Sequence, residues 1–264
     1  MPFVNLNEID TYYSISGNGA PIVLIHHLAG NIESWFNQIP YLAKNYQIIA
    51  YDLRGHGRSA EPKQAFTMDD LANDLFFMLQ ELDIKKCTII GHSIGGMIAP
   101  LFALKYGSMV DALIIIAGAI QSLAAGKLAS YSVMREIART KGMEALAEYR
   151  RSNSQIPPKI ANNTMLWDHF KRLYKRTSVQ GYIRMSEALA TMPDLTNKIK
   201  EVHCPMLGVV GDLDPVFMET MKILADNVNV SMKVMHNCGH FIMMEEPAEF
   251  NNIITNFLKS YNLK

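Results

Sequence analysis

The sequence predicts an α/β protein with a mostly parallel central sheet, helices on both faces and one helical insertion. Short β-branched runs alternate with amphipathic stretches up to residue 118 and again after residue 204. Between these two positions the sequence shows helical patterns only. A crossover between parallel strands needs about a dozen residues, so the longer segment must contain additional structure. We expect a core formed by residues 1–118 and 205–264, with a helical lid at 119–204.

Each predicted element has its own pattern in the sequence. Alternating apolar residues predict an edge hairpin at 3–16, and continuous apolar runs predict buried strands at 21–25, 46–51, 86–90, 112–117, 206–210 and 230–235. A helix is expected around Trp35, Ile39 and Leu42. Thr67 and Asp70 have the spacing of a capping box at the start of another helix. Further helices are predicted after residue 93, at 130–150, 164–176 and 178–191 in the lid, after residue 214 and from Pro247 onward.

The composition is that of an ordinary globular protein. Of 264 residues, 49% are hydrophobic, and 25 Lys and Arg balance 25 Asp and Glu. This neutral balance gives no support to a nucleic-acid or membrane partner. The N-terminus lacks the pattern of a signal peptide, and the longest apolar run, 112–120, is too short to span a bilayer. Three cysteines without a C-x-x-C pair indicate a reducing compartment, so we expect a cytoplasmic protein.

The pentapeptide Gly91-His92-Ser93-Ile94-Gly95 carries the strongest chemical signal. It lies between a predicted buried strand and a predicted helix. A serine in this context, with glycine two residues to either side, has the pattern of a nucleophile elbow. The tight turn exposes the hydroxyl group and brings the flanking backbone too close for a Cβ atom. His92 is expected to point to the opposite face and to take no catalytic part.

A serine nucleophile needs a general base, and the base needs an acid to orient it. His240 follows the last predicted strand in a glycine-marked loop and is the candidate base. Asp212 and Asp214 both follow the preceding strand, and the residues alone leave both open as the acid. His236 and His240 have the spacing of metal ligands, but no third ligand is evident, so no metal site is expected.

Acyl transfer also requires two backbone N–H groups directed at the developing oxyanion. One should belong to Ile94, directly after the serine at a helix N-terminus. The other should come from the loop after the strand 21–25, where Leu28 is the candidate.

Four motifs together resemble the lid-bearing α/β-hydrolase family, which includes carboxylesterases, enol-lactonases, C–C bond hydrolases and non-haem perhydrolases. They are His26-His27-Leu28-Ala29-Gly30, Asp52-Leu53-Arg54-Gly55-His56-Gly57-Arg58-Ser59, residues 91–96 and Gly239-His240. The resemblance implies Ser93 as nucleophile, Asp214 as acid and His240 as base. It favours Asp214 over Asp212 because the acid in this family usually stands three residues after a glycine, here Gly211. It implies no metal or organic cofactor.

The chain departs from this family at His27, where a His-Gly pair is common. Glycine there would ease an unusual backbone angle, and histidine tolerates the left-handed region better than most residues. We therefore expect His27 to adopt such a conformation and to place its imidazole beside the site. His27, Trp167 from the lid and Phe241 are the predicted substrate-pocket residues.

The resulting expectation is a serine hydrolase that cleaves a small carboxylic ester through an acyl-enzyme. Resemblance of residues 93–97 to enol-lactonases makes a lactone the alternative substrate. A C–C hydrolase is disfavoured, since those enzymes resemble the family with Asn in place of His92, and the serine disfavours dehalogenases and epoxide hydrolases. A non-catalytic or slowly hydrolysing ligand receptor and a cofactor-free oxygenase of the same fold also remain open. The oligomeric state is not predicted.

Overall fold

The computed structural model describes residues 2–6 and 8–262, and within them the chain forms one eight-stranded sheet. Its order is β1-β2-β4-β3-β5-β6-β7-β8. β1 and β2 are antiparallel to their neighbours and all later pairs are parallel, which confirms the predicted mostly parallel sheet. The strands are β1 Phe3–Leu6, β2 Ile9–Ser16, β3 Pro21–Ile25, β4 Gln47–Tyr51, β5 Cys87–His92, β6 Val110–Ile116, β7 Met206–Gly211 and β8 Ser231–Met235.

The central strands have two apolar faces because helices cover both sides of the sheet. Val23 and Ile25 of β3 pack into one core, while Ile22 and Leu24 pack into the other. Successive side chains of a strand point to opposite faces, so a continuous apolar run supplies both cores. Burial of each such side chain contributes about 1.5–3 kcal/mol to stability. These cores hold the carboxyl ends of the parallel strands in fixed positions.

The helices largely follow the predicted order. They are α1 Ile39–Leu42, α2 Met68–Glu81, α3 Ile94–Tyr106, α4 Ala125–Ser152, α5 Pro158–Ala161, α6 Thr164–Lys175, α7 Val179–Ala188, α8 Pro215–Asn227, α9 Ile242–Glu245 and α10 Pro247–Ser260. The capping box is present: the Asp70 N–H donates to Thr67 Oγ1 at 3.2 Å, and the Thr67 N–H donates to Asp70 Oδ2 at 2.8 Å.

The predicted helix containing Trp35, Ile39 and Leu42 is not continuous. A 3₁₀ turn spans Ile32–Trp35, and α1 follows after a short break. Pro40 lies in the first turn of α1. Because proline has no N–H to donate and its ring clashes with the preceding turn, it favours a new helix start over the middle of a longer helix.

The segment between β6 and β7 contains four helices, α4–α7, all within residues 119–204. Helix α4 is interrupted at Gly142, whose φ of 82° and ψ of 173° are not helical. The stretch 153–163, which lies between two predicted lid helices, contains the short α5, with Pro158 at its start. The exact boundaries at 119 and 204 stay predictions. Among the described residues, no helix combines the length and apolar character needed to cross a bilayer.

Candidate active site

Ser93 occupies the sharp turn between β5 and α3. Its φ of 56° and ψ of −113° are strained for a residue with a side chain. The surroundings enforce this turn: a Cβ atom at Gly91 would lie 2.1 Å from the Gly95 carbonyl oxygen, and one at Gly95 would lie 2.3 Å from that of Ile25. Both glycines of the motif are therefore required by close backbone approach.

A continuous hydrogen-bond chain connects Ser93, His240 and Asp214. The Ser93 Oγ lies 3.0 Å from His240 Nε2, and Asp214 Oδ2 lies 2.6 Å from His240 Nδ1. An ionised carboxylate can only accept, so Nδ1 carries the proton and donates it to Asp214. The unprotonated Nε2 then accepts the hydrogen bond of the serine hydroxyl. This is the geometry by which an imidazole can remove a proton from a serine.

The structure separates the two candidate acids. Asp214 is 9% exposed and caps α8, where its carboxylate also accepts the Phe217 N–H. Asp212 instead lies 3.2 Å from the exposed His236 and does not contact His240. Burial opposes ionisation of Asp214, but His240 and the hydrogen bonds outweigh it and hold its pKa below the ordinary value. Asp214 is therefore ionised at neutral pH.

The two predicted oxyanion donors are both near Ser93: Ile94 follows it in the chain, and Leu28 lines the same cavity. Ile94 is the first residue of α3, and the first N–H groups of a helix have no partner within the helix. Leu28 follows β3 and lines the same cavity as Ser93 and His240. Leu28 and Ile94 therefore remain the predicted oxyanion donors, and they come from two different segments of the chain.

The backbone conformation expected at His27 is wrong. The residue with a left-handed backbone in this loop is Ala29, with φ of 61°, whereas His27 has an ordinary negative φ. A turn closed by the Gly30 N–H and the His27 carbonyl at 2.9 Å explains this, since Ala29 lies inside it. His56 Nε2 accepts the Ala29 N–H at 3.1 Å and holds the turn. A side chain at position 27 therefore causes no backbone strain.

The His27 ring reaches the cavity, as expected. It packs edge-on against Phe241, with ring centroids 5.0 Å apart, and both residues line the cavity. Its Nδ1 donates to the carbonyl of Leu28, the predicted oxyanion donor, at 2.9 Å. Burial lowers the pKa of His27 to about 3, so the ring is neutral. His27 thus stiffens the loop without adding charge.

The expectation that Trp167 lines the pocket is wrong. Trp167 is 3% exposed and stacks on Phe170, with ring centroids 5.9 Å apart and the Arg151 guanidinium 4.7 Å from its centroid. It lies on the buried face of α6 and belongs to the core beneath the insertion. Apolar residues at helical spacing give no indication of which of them border a cavity.

The cavity at Ser93 has a volume of about 330 Å³. Its floor is formed by the hydrogen-bonded residues and the loop after β3. Its remaining walls come from the insertion and from the start of α8, namely Lys127, Tyr131, Arg150, Ser154, Gln155, Pro157, Pro158 and residues 213–217. No group of three or more His, Cys, Asp or Glu side chains placed to hold a metal ion occurs in the part of the chain that the structure describes.

The model of the alpha/beta hydrolase fold family matches residues 20–247. The chain belongs to this family. A crystal structure described with carboxylesterases of Nitrososphaera gargenis is 35% identical, with a TM-score of 0.94 and 99% of each chain covered. This similarity supports a hydrolytic activity for the α/β hydrolase.

Two curated relatives of this α/β hydrolase are named for different substrates. The 2-hydroxy-6-oxo-6-(2'-aminophenyl)hexa-2,4-dienoic acid hydrolase of Metapseudomonas resinovorans is 29% identical, over 97% of this chain and 90% of that protein. The 3-oxoadipate enol-lactonase 2 of Acinetobacter baylyi is 24% identical, over 91% of this chain and 89% of that protein. The family therefore does not by itself define the substrate.

Two residues of this α/β hydrolase, Glu245 and His92, support the loop of His240, and the sequence did not predict this role for either. The Glu245 carboxylate accepts the N–H groups of Gly239 and Phe241, on either side of His240, at 2.9 and 3.1 Å. His92 Nε2 donates to the His240 carbonyl at 2.8 Å. His92 thus supports the loop of His240 from beneath, without contact to Ser93 Oγ. For Glu245, the signal was its position five residues after His240, ahead of the proline that begins α10.

The Asp52-to-Ser59 motif has a structural part in this hydrolase. Asp52 accepts the N–H groups of Ile32 at 2.7 Å and of Arg58 at 2.9 Å. His26 Nε2 accepts the Leu53 N–H at 2.8 Å. These bonds connect the loop after β3 with the loop after β4, so the motif stabilises the loop that carries Leu28.

The buried histidines predict a measurable dependence of stability on pH. His27 has a folded-state pKa of about 3, below its ordinary value of 6.5, because of burial. On unfolding it takes up a proton, so its contribution to stability is present above pH 6.5 and decreases as the pH falls toward 3. The free energy of unfolding should therefore decrease less steeply with falling pH in His27→Gln than in the wild type, by about 1.4 kcal/mol per pH unit. Urea unfolding at pH 7, 6 and 5 measures this.

The matched control for this prediction is His236→Gln. The His236 side chain is 88% exposed in the folded protein, so the slope should stay that of the wild type. An acid slope that is equally steep in His27→Gln and in the wild type would contradict the proposed burial of a neutral ring.

Proposed function

We propose that this α/β hydrolase is a serine hydrolase that cleaves a small carboxylic ester through an acyl-enzyme. The single observation that carries the proposal is the chain of hydrogen bonds from Ser93 through His240 to Asp214, at the wall of a cavity. We assign Ser93 as nucleophile, His240 as general base and acid, and Asp214 as the group that orients His240. The substrate is the proposed partner, and the mechanism requires neither a metal nor an organic cofactor.

In the first half of the reaction, Ser93 Oγ attacks the ester carbonyl carbon while His240 Nε2 takes the hydroxyl proton. The resulting imidazolium is stabilised by ionised Asp214, 2.6 Å away. The carbonyl oxygen becomes an oxyanion, which the N–H groups of Leu28 and Ile94 would stabilise by about 3–4 kcal/mol each. Collapse of the tetrahedral intermediate breaks the bond to the alcohol oxygen, which takes the proton from His240.

In the second half, His240 removes a proton from a water molecule, and the hydroxide attacks the acyl carbon. The acid product then leaves, and Ser93 recovers its proton from His240. The free enzyme is thereby restored with no net change in its protonation. We further propose that the helices within 119–204 act as a lid, because α4 supplies Lys127, Tyr131 and Arg150 to the cavity wall.

A lactone is the second candidate substrate. The same steps open a cyclic ester, and the leaving alkoxide then stays attached to the acyl group. The enol-lactonase relative favours this alternative, whereas the 35% identical structure described with carboxylesterases favours an ester. A receptor without turnover is the candidate from another class, and the aligned Ser93 and His240 argue against it.

Labelling with a fluorophosphonate tests the nucleophile. We expect the wild type to be labelled at Ser93 and Ser93→Ala to be unlabelled. Ser154→Ala is the matched control, because Ser154 lines the same cavity and makes no hydrogen bond to His240 among the described residues. Equal labelling of wild type and Ser93→Ala would contradict the assignment.

A panel of esters and lactones graded by acyl size then tests the reaction. We expect p-nitrophenyl acetate to be hydrolysed by the wild type and not by Ser93→Ala. A protein that is labelled but hydrolyses no ester or lactone would be a receptor. Higher kcat/KM for lactones than for matched open-chain esters would favour the lactonase.

A further inference from the structure

Two cationic side chains project into the cavity that contains Ser93. Lys127 lies near the start of α4 and Arg150 near its end, and both line the cavity. They are 23 positions apart in the sequence. In a straight helix this spacing would separate them by roughly 35 Å, far more than a cavity of this size can span.

The break at Gly142 brings the two cations together. Its backbone, with φ of 82° and ψ of 173°, lies in a region that is essentially restricted to glycine. The helix therefore changes direction at Gly142, and its two halves meet at the cavity. The two positive charges also repel each other: burial lowers the pKa of Lys127 most, and Arg150 lowers it further.

Among the described residues, neither cation forms an ion pair with a carboxylate, and Asp214, which attracts Lys127 from a longer distance, is already bonded to His240. Arg150 donates to the Tyr174 hydroxyl and, from Nε, to Gln155 Oε1 at 3.3 Å. Lys127 lies 5.8 Å from the centroid of the Tyr131 ring. Neither has an acidic side chain within 4.0 Å among residues 2–6 and 8–262, whereas the cations Arg135, Arg139, Lys171 and Lys175 of α4 and α6 do.

The cavity itself supplies no free negative charge. Among the described residues that line it, Asp214 is the one carboxylate, and it is engaged by His240 at 2.6 Å. Tyr131 and Tyr182 are neutral at physiological pH, since burial raises the pKa of Tyr131 to about 12 and that of Tyr182 above its ordinary value. A partly desolvated pair of like charges is costly unless an anion compensates it.

We propose that the substrate carries, besides the scissile ester or lactone group, a second ionised carboxylate that binds Arg150 and Lys127. This inference rests on the proposed hydrolase function and names its substrate class. A guanidinium has five N–H donors, of which two are used here, so Arg150 retains donors for a carboxylate. The volume of about 330 Å³ is at the small end for ligand pockets, which favours a short dicarboxylic half-ester or a carboxylated lactone.

A matched pair of substrates tests this proposal: monomethyl adipate and its carboxamide analogue, methyl adipamate. They have nearly the same shape and differ in the charge of the distal group. Hydrolysis of each consumes one water and releases methanol and the acid, and methanol release measures it. We expect the wild-type kcat/KM to be at least about tenfold higher for the carboxylate, since a charge-assisted contact in a partly desolvated site has that magnitude.

Two variants remove the charges separately. Arg150→Met and Lys127→Met should each lower the ratio of the two kcat/KM values toward one, while Arg150→Lys should retain part of it. Arg139→Met is the matched control, because Arg139 lies on the same helix, pairs with Glu136 and does not line the cavity. The ratio separates recognition from damage, since misfolding lowers both rates equally. If Arg150→Met does not fold, the ratio measured for Lys127→Met still tests the proposal.

Inhibition provides a second measurement. Adipate should inhibit wild-type hydrolysis of p-nitrophenyl acetate competitively, and adipamide much less, with the difference reduced in Lys127→Met. A wild-type ratio of one or below overturns the inference and leaves the proposed function intact. A high ratio that persists in both Met variants overturns the assignment to Arg150 and Lys127. Absence of hydrolysis of p-nitrophenyl acetate and both methyl esters refutes the proposed function itself.

Discussion

Asp214→Asn is expected to lower kcat by about 10⁴-fold with little change in the fold. The carboxylate accepts the proton of His240 Nδ1 at 2.6 Å and so leaves Nε2 free to accept from Ser93. An amide NH₂ facing Nδ1 favours the opposite tautomer, in which Nε2 carries the proton and cannot serve as a base. It also removes the negative charge that stabilises the imidazolium. The kcat for p-nitrophenyl acetate measures the effect.

Asp212→Asn is the matched control. It changes the same functional group two residues away, at a side chain that contacts His236 and the Cys238 N–H. We expect kcat to change by about twofold or less, as for a surface substitution remote from the reacting atoms. A greater loss at Asp212 than at Asp214 would mean that the acid is assigned to the wrong residue.

Gly91→Ala is expected to destabilise the protein by about 3 kcal/mol or more. The added Cβ would lie 2.1 Å from the Gly95 carbonyl oxygen and 2.4 Å from its carbonyl carbon, both in the backbone of the first turn of α3. These atoms cannot move without displacing the turn that holds Ser93 at φ 56°. Urea unfolding measures the free energy, and the fluorophosphonate labelling rate shows the damage to the turn.

Gly107→Ala makes the same change where the backbone can accept it. Gly107 has a helical φ of −55°, and nothing lies within 4 Å of an added Cβ atom. The variant should be neutral or more stable by up to about 1 kcal/mol, since alanine restricts the unfolded chain. Equal losses at both positions would indicate a general intolerance of substitution rather than the specific clash at the elbow.

Patterns of neighbouring residues were sufficient to predict the strands, the turn at Ser93 and the position of His240. The continuous apolar runs predicted the parallel strands because each strand must supply two cores. The glycines around Ser93 predicted the strained turn because a Cβ there meets backbone. His240 was predicted from its place after the last strand, since carboxyl ends of parallel strands lie at one edge of the sheet. Each of these inferences depends on neighbouring residues or on strand order.

Contacts between distant segments were not predictable in the same way. The residues alone did not distinguish Asp212 from Asp214 as the acid, because both follow the same strand. Only the turn before α8 decides which of them reaches His240. The backbone conformation expected at His27 was wrong because the turn from His27 to Gly30, which His56 holds through the Ala29 N–H, places the left-handed residue at Ala29. The prediction that Trp167 lines the pocket was wrong because helical periodicity indicates that a face is buried and does not indicate whether that face borders a cavity.

The sequence by itself thus determined the fold class and the candidate roles of Ser93 and His240, because these depend on chain-local geometry and on the order of the strands. Only the tertiary structure decided which aspartate meets His240, how Glu245 and His92 support its loop, and that Lys127 and Arg150 share a cavity. Those outcomes depend on a turn and a helix break that bring together groups far apart in the chain. The charge of the pocket, and with it the proposed substrate class, therefore follows from packing rather than from any motif.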